Sequence, residues 1–549
     1  MWLFIYWKKI VVFVFFVILS AGFTNKYFEI SKHLDVFSSL FKELNIYYVD
    51  ETSPGELIES AIDEMLGTLD PYTVYMPESE IEDFKIQTTG QYGGIGSLIR
   101  KRGDYVIISE PYKGFPAYKS GLKAGDKLLE IDGKSAKGKT TEEVSNILKG
   151  QPDTQVGVLI KRYGVEKPIS IVLKREKIQL ECVPYYGFLD GGIGYVRLTS
   201  FTDKATRSVR LALEDLKSQQ KLNGVVLDLR GNPGGLLREA INVCNLFVEK
   251  GQEIVRTKGK VKEWDKSYQT LNSPLDTTVP LAVLISRGSA SASEIVSGTM
   301  QDLDRGVVIG QKSFGKGLVQ QTRKLPYNSQ LKVTIAKYYT PSGRCIQALD
   351  YSNRNEDGSV GSVPDSLKTE FKTVNGRSVF DGGGISPDFI VEQKKYSTIT
   401  KTLIAKSLIF DFATDFAFKN QSIESAESFV ISSVIYDDFL SFLENKEFEF
   451  ESLTDVVLQE LIEQAEKENY YTSLETTILA LKKDLKNSKK NSAILFKEEI
   501  KSFLREEIVS RYYHQEGRIV SSLIGDNEVK EAVRLLKNTN EYYSVLNIN

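Results

Sequence analysis

The sequence predicts an α+β multidomain protein. An N-terminal leader and helices come first, then a small β-rich module with two helices, a mixed α/β core and a helical C-terminal third. Three observations lead there. The chain has 549 residues, 41% of them apolar, which is too long for one ordinary core. Between about 190 and 320, buried-type strands repeatedly run into glycine-rich turns and then helices. From about 395 to 549 the glycine turns give way to apolar stripes at helical spacing.

Composition removes several functions. A formal net charge of −3 supplies no basic excess to neutralise phosphates, so no nucleic-acid partner is expected. The three cysteines, Cys182, Cys244 and Cys345, form no CxxC pair and no even disulfide framework, and no metal site is expected. Only two histidines occur, His33 and His514, near opposite ends of the chain. A hydrolase built from this sequence therefore needs a base other than histidine, and lysine is the known substitute.

Lys8 and Lys9 precede an uninterrupted weakly polar stretch, Ile10 to Phe23. Fourteen residues fall short of the ~20 that a membrane span needs and fit the apolar region of a secretory signal. Ser20-Ala21-Gly22 offers small residues but no Ala-x-Ala site, and apolar Trp2 to Trp7 can lengthen the segment into an anchor. Residues 1–26 are therefore expected to be a signal peptide or membrane anchor. The protein is expected to be exported to the periplasm, with cleavage and inner-membrane anchoring both left open.

Residues 27–87 read as a helical segment. Ile30, Leu34, Phe37, Phe41 and Leu44 predict a helix over 29–46. A second is expected from Pro54, suited to a first turn, to Gly67, suited to a C-terminal cap. Residues 88–175 change character. Gly93-Gly-Ile-Gly96 precedes Leu98 and Ile99, Tyr105 to Ile108 reads as a strand, and Gly121-Leu-Lys-Ala-Gly-Asp-Lys-Leu-Leu-Glu-Ile-Asp-Gly133 follows. Thr140 and Glu143 then form a capping box ahead of a helix whose apolar face is Val144, Ile147 and Leu148. This order closely resembles a PDZ domain. The resemblance implies that a peptide adds as a strand to the sheet edge while N–H groups of Gly94, Ile95 and Gly96 hold its C-terminal carboxylate. Val144 and Leu148 would line the groove.

A linker is expected near 176–187, and the core follows to 394. Gly194 to Phe201 is a strand, 203–218 a helix, and Val225 to Arg230 a buried-type strand that runs into Gly231-Asn-Pro-Gly-Gly235 and a further helix. A glycine turn at a helix N-terminus leaves N–H groups aimed at one point, which suits a phosphate or an oxyanion. Neither phosphate-loop spacing is present, so no cofactor is expected. The pattern repeats: Leu281 to Ile285 is a strand, Ser286 to Ser293 a turn, and Glu294 to Met300 a helix. Ser291 thus sits where a strand passes into a helix, a place that exposes a side chain. A third strand, Val307 to Gly310, leads to Ser313-Phe-Gly-Lys-Gly317.

Taken together, these segments resemble the carboxyl-terminal processing peptidases, or tail-specific proteases, which are serine peptidases with a Ser/Lys dyad. The matching stretches are Asp228-Leu-Arg-Gly-Asn-Pro-Gly-Gly235, Ser289-Ala-Ser-Ala-Ser-Glu294, Phe314-Gly-Lys-Gly-Leu-Val-Gln320, Tyr339-Thr-Pro-Ser-Gly-Arg344 and Gly382-Gly-Gly-Ile-Ser-Pro-Asp388. By that resemblance the core at 176–394 is a mixed α/β fold of the ClpP/crotonase-like type. Ser291 is the nucleophile, Lys316 the general base and Gln320 the residue that orients it. The N–H groups of Gly234 and Ala292 form the oxyanion hole, with Gly235 as an alternative to Gly234.

Lysine is a base only when neutral, so its ordinary pKa of ~10.4 must fall by about 3 units. Burial among Phe314, Leu318 and Val319 is the expected cause, and uncharged Gln320 holds the amine without favouring its ammonium form. Ser289 and Ser293 read as turn and cap residues and Glu294 as a capping or structural residue. Lys312 is a weaker base candidate without flanking glycines, Asp302 lies past the helix without a histidine to serve, and Cys345 reads as core.

Past 395, Phe496, Ile500, Phe503, Leu504 and Ile508 make one seam, and Leu453, Val457, Leu461, Ile462 and Ala465 another. Such a seam is either a domain core or an interface through which copies of the chain assemble, and periodicity does not choose. The sequence reading is an exported serine endopeptidase that takes protein substrates with exposed C-termini, with or without an adaptor protein. Its rivals are a non-catalytic PDZ-containing binding or chaperone protein on the same fold and a small-molecule amidase or esterase.

Overall fold

The computed structural model describes residues 27–355, 359–444, 446 and 450–548, so the leader lies outside the described residues. These residues form two compact units. One ends at Pro77 and includes Thr322–Val333; the other comprises Glu78–Gln321 and the chain from Thr334 onward.

In the first unit a helix covers 27–47 and a second runs Pro54–Gly67, within a residue or two of expectation. Gly67 is the last helical residue, and the cap is Thr68 in right-handed conformation, so the glycine is not used for a left-handed turn. Val74–Met76 pairs antiparallel with residues 330–332.

In the second unit the PDZ-like module has a sheet ordered Ser97–Arg102, Tyr105–Pro111, Lys127–Ile131, Gln155–Lys161, Ile169–Lys174. Val106, Ile108, Leu128, Val156, Val158 and Ile160 bury one apolar set against the helix Thr141–Leu148. The predicted capping box is present: Glu143 N–H donates to Thr140 Oγ1 (3.1 Å) and Thr140 N–H to Glu143 Oε2 (2.6 Å). The expected linker at 176–187 is not loose chain. Glu176–Gln179 pairs with Gln91–Gly94, so the module is entered and left through one antiparallel ribbon.

The core is a six-stranded sheet in the order Tyr185–Leu189, Ile193–Arg197, Gly224–Asp228, Leu281–Ile285, Val307–Gly310, Phe389–Ile390. Its first pair is antiparallel and the rest are parallel. Strands covered on both faces read as continuous apolar runs, as Leu281-Ala-Val-Leu-Ile285 does. Val225, Leu227, Val283 and Ile285 face the helices Ala205–Gln219, Leu237–Cys244 and Ala292–Asp302. Val226, Ala282, Leu284 and Ile309 face Val529, Ala532, Leu535 and Leu536 of the helix Asn527–Lys537. The last helices of the chain therefore close the second face of the core sheet.

Ahead of those last helices in the chain comes a helical domain. The seam Ile500, Leu504, Ile508 is buried against Leu403, Phe412, Tyr436 and Phe439, so it is an internal core and not an assembly surface. The other predicted seam is offset: Leu458, Ile462 and Ala465 are buried, whereas Leu453, Val457 and Leu461 are exposed. Ile462 and Ala465 of the predicted seam thus lie on the buried face and Leu453, Val457 and Leu461 do not, because Ile478 and Tyr471 of the next helix pack on the stripe through Leu458 and Ile462. This domain grips the PDZ-like module by polar contacts: Arg102 pairs with Asp411, Tyr163 O–H donates to Asp415 (2.7 Å), and Arg518 reaches Glu110 (3.3 Å).

Among the described residues no helix is long and apolar enough to cross a membrane, and no cluster of three or more His, Cys, Asp or Glu is placed to hold a metal.

Candidate active site

Three neighbouring parallel strands deliver three loops to one end of the sheet. Gly224–Asp228 leads to the glycine turn 231–235, Leu281–Ile285 to Ser291, and Val307–Gly310 to Lys316. Ligand sites of open α/β sheets lie at this carboxyl end.

Ser291 stands immediately before the helix Ala292–Asp302 with φ 54° and ψ −113°. A positive φ at a residue with a side chain is strained, and such strain persists where surrounding bonds enforce it. The enforcement is visible. Of the three serines in Gly288–Glu294, Ser289 and Ser293 are fully buried and occupied: Ser289 Oγ donates to Leu229 O (2.8 Å) and Ser293 Oγ to Asn232 O (2.9 Å). Ala290 N–H donates to Asn232 O (3.0 Å). These bonds staple the Ser291 turn to the glycine turn and leave Ser291 as the partly exposed serine. The apposition is close enough that a Cβ on Gly234 (φ 103°) would lie 2.9 Å from Ser291 Cβ and 2.9 Å from Ala292 N. Only glycine fits there.

The two expected oxyanion donors fare differently. Gly234 N–H donates to Asn232 Oδ1 (2.9 Å), an internal bond of the turn, so it is already taken. The N–H groups of Gly235 and Ala292 meet no acceptor among the described residues. Of the two glycines, it is Gly235, the alternative named from the sequence, whose N–H is left without an acceptor among the described residues. Gly235 itself is obligatory, since a Cβ would meet Phe201 O at 2.4 Å.

Glu294 is the hub. Its side chain is fully buried, and one carboxylate oxygen, Oε2, accepts the N–H of Ser291 (2.8 Å) and of Lys316 (2.9 Å). The other, Oε1, accepts Ser313 Oγ (2.5 Å) and Gly315 N–H (2.6 Å). Burial pushes this carboxyl's pKa up, while the four donors pull against that shift. Tyr338, also buried, adds a second link: its hydroxyl lies 2.7 Å from Lys316 O and 3.1 Å from Ser291 O. The backbones of Ser291 and Lys316 are thus joined on one side by a carboxylate and on the other by a phenol. Residue type marks Glu294 as capping or structural without naming its partners, and nothing local in the sequence singles out Tyr338. No spacing rule connects position 338 to positions 291 and 316.

Around the expected base, Leu318 is buried and Val319 packs on the core, but Phe314 is half exposed and does not bury the lysine as anticipated. Gly315 (φ 87°) and Gly317 let the loop press against Ala348 and Gln347. Gln320 donates to Thr334 Oγ1 (3.2 Å) from the strand Leu318–Lys324. Lys312 packs against Gly383 beside Lys368, and burial followed by that neighbour's charge lowers its pKa. Asp302, expected past the helix, is its last residue and pairs with Arg344 (2.6 Å) with both side chains buried. Cys345 is partly buried, and burial raises its thiol pKa.

In the PDZ-like module, Ile95 O and Gly96 O accept Ala117 N–H (2.8 Å) and Tyr112 N–H (2.9 Å). The N–H groups of Ile95 and Gly96 find no acceptor among the described residues, which leaves a donor pair for an anion. Gly94 pairs with Glu176 in the entry ribbon. Gly96 has φ 71°, and a Cβ there would strike Phe115 at 2.5 Å. Val144 and Leu148 lie on the buried face of the helix Thr141–Leu148. At 0 and 4% exposure they pack in the module's core, because their i, i+4 spacing puts both on the inward face.

A PDZ module joined to a mixed α/β core and closed by a helical C-terminal domain defines a class, that of PDZ-bearing serine peptidases. Residues 192–352 match peptidase family S41, 107–162 match a PDZ domain, and 399–536 match the C-terminal helical domain of probable PDZ-proteases. A carboxy-terminal-processing protease of Bartonella bacilliformis is 39% identical over 353 residues, covering 62% of this chain and 81% of that protein. The chain belongs to the carboxy-terminal-processing protease family. A probable CtpA-like serine protease of Staphylococcus aureus is 36% identical over 319 residues, 57% of this chain and 62% of the relative. Among solved structures, a photosystem II D1 C-terminal processing protease is 28% identical, with a TM-score of 0.36, over 65% of this chain and 92% of that one.

Proposed function

We propose that this serine peptidase is an exported endopeptidase that binds protein C-termini through its PDZ domain and cuts near them with a Ser291/Lys316 dyad. The observation that carries the dyad is the single buried carboxylate oxygen of Glu294 that accepts both the Ser291 and the Lys316 N–H. It holds the two backbones in one register. Ser291 Oγ attacks the scissile carbonyl carbon and its proton passes to the neutral amine of Lys316. The oxyanion that forms takes hydrogen bonds from the N–H groups of Ala292 and Gly235, each such donor contributing about 100- to 1000-fold in rate. Lys316 then gives its proton to the leaving amine as the C–N bond breaks. Water, deprotonated by the same lysine, hydrolyses the Ser291 ester. Gln320 limits the lysine's rotamers without a charge that would hold it as ammonium.

Upstream, the unpaired N–H groups of Ile95 and Gly96 receive the substrate's terminal carboxylate. The leader 1–26 directs the chain to the cell envelope.

The test is cleavage of a tailed protein with a free or amidated C-terminus by the wild type, Ser291→Ala and Lys316→Ala. Loss of cleavage in both variants with wild-type melting curves is expected, together with slower cleavage of the amidated tail. Full activity in either variant refutes the dyad, and indifference to amidation refutes carboxylate capture. A fluorophosphonate label absent from the wild type at alkaline pH favours the non-catalytic binding protein.

A further inference from the structure

The glycine turn and the base loop share a clamp that does not come from the peptidase core. We propose that Glu528, from the C-terminal helices, is a positioning residue for the peptidase site, holding in register the two strand ends from which the oxyanion turn and the Lys316 loop start; this rests on the Ser291/Lys316 reading above.

Glu528 is the second residue of the helix Asn527–Lys537. Its Oε2 accepts Arg230 Nη1 (2.8 Å) and its Oε1 accepts the side-chain amide of Gln311. Arg230 directly precedes Gly231, the first residue of the glycine turn, and Gln311 directly follows Gly310, at the start of the loop to Lys316. The strands that end there, Gly224–Asp228 and Val307–Gly310, flank Leu281–Ile285, the strand that delivers Ser291. One carboxylate therefore straddles the nucleophile's strand and ties its two neighbours together.

Both arms are braced. Arg230 donates through Nε and Nη2 to Asp228 (3.0 and 2.7 Å), and Asp228 also accepts Tyr195 O–H (2.6 Å). Arg230 Nη1 further reaches Asp526 Oδ2 (2.7 Å), while Asp526 Oδ1 caps the helix by accepting Val529 N–H (3.1 Å). Gln311 also donates to Val391 O (3.0 Å), and its N–H to Ile285 O (3.1 Å). The helix cannot roll away, because Val529, Ala532, Leu535 and Leu536 are buried against the sheet. A charge-assisted bond at each arm, anchored by a packed helix, fixes position better than a surface pair does. Arg518, on the helix Lys497–Leu523 that precedes the one carrying Glu528, reaches Glu110 of the PDZ domain.

The experiment uses the full chain and the variants Glu528→Ala and Glu528→Gln. Three readouts are taken: kcat and KM on a tailed protein, the rate of fluorophosphonate labelling at Ser291, and amide hydrogen exchange of residues 229–236 and 311–317. Glu528→Ala is expected to lower kcat and labelling rate roughly 10- to 100-fold with KM little changed, since small displacements of reacting groups cost that much. Exchange in both loops rises, while the remote core around Ile500–Val509 keeps its protection. Glu528→Gln, whose single amide oxygen can still accept from one arm while its NH2 faces the other, recovers part of the rate. A folded Glu528→Ala with wild-type kcat and unchanged exchange in both loops overturns the proposal, as does a loss in KM alone. Should the alanine variant fail to fold, Glu528→Gln is read by the same criteria. Wild-type protein that neither cleaves nor labels fails the dyad reading instead, and the exchange of the two loops still decides the clamp.

Discussion

Glu294→Gln is the most informative single change, since it keeps the size of a buried side chain and alters only what its two ends can do. The carboxylate now accepts four donors, Ser291 N–H, Lys316 N–H, Ser313 O–H and Gly315 N–H, all between 2.5 and 2.9 Å. An amide has one acceptor oxygen, so whichever way it turns, two donors face an NH2 group. Losing two hydrogen bonds to a charged group costs about 3–6 kcal/mol, and no longer burying a charge returns part of that, for a net loss of roughly 2–4 kcal/mol. Against a typical total of about 5–15 kcal/mol the variant stays folded in water but melts earlier. Activity suffers more if the NH2 end takes the Oε2 site, because both dyad backbones are released together, and a drop of about 100-fold in kcat is then expected. Denaturant unfolding gives the stability change, and fluorophosphonate labelling at Ser291 gives the active-site change. A variant with the wild-type midpoint and labelling rate would refute the idea that this carboxylate sets the register.

Two further outcomes follow from buried polar groups. Tyr338→Phe removes the hydroxyl shared by the carbonyls of Ser291 and Lys316; a loss of ~1–2 kcal/mol by thermal melting, with kcat falling and KM steady, is expected. Glu506 has its carboxyl pushed up to about 7, by burial first and with Arg518 and Arg505 opposing. A carboxyl raised in the folded state adds stability that is complete below about pH 4.5 and is lost as pH rises to about 7. Glu506→Gln should therefore flatten the melting-temperature profile across that window, and an unchanged slope would argue against the burial.

Much of the site was legible because its chemistry is local. A strand, a turn of small residues and a helix start are set within a dozen positions, and Leu281–Ile285 and Val307–Gly310 appear where apolar runs end at glycine or serine. The capping box at Thr140 and Glu143 was legible for the same reason, since both partners sit three residues apart. Family membership was legible from motifs whose order along the chain is itself distinctive.

What the sequence could not say depends on which groups meet across distance. Periodicity identified the stripe 453–465 but not its buried side, which depends on where the next helix lies. It left the 496–508 seam open between core and interface, and the packing of Leu403, Phe412 and Phe439 makes Ile500, Leu504 and Ile508 core while Phe496 stays exposed. Glycine spacing marked an oxyanion-type turn, yet only the fold shows that Asn232 consumes the N–H of Gly234 and leaves Gly235. Residue type made Ser291 and Lys316 candidates and Glu294 a capping or structural residue, because charge, size and turn preference are properties of the residue itself. That one buried carboxylate joins two of them, and that Glu528 arrives from 298 residues beyond Arg230 to brace the turn, are tertiary facts. Hydrogen bonds form between whatever the packed chain brings within about 3 Å, and no local preference encodes that meeting.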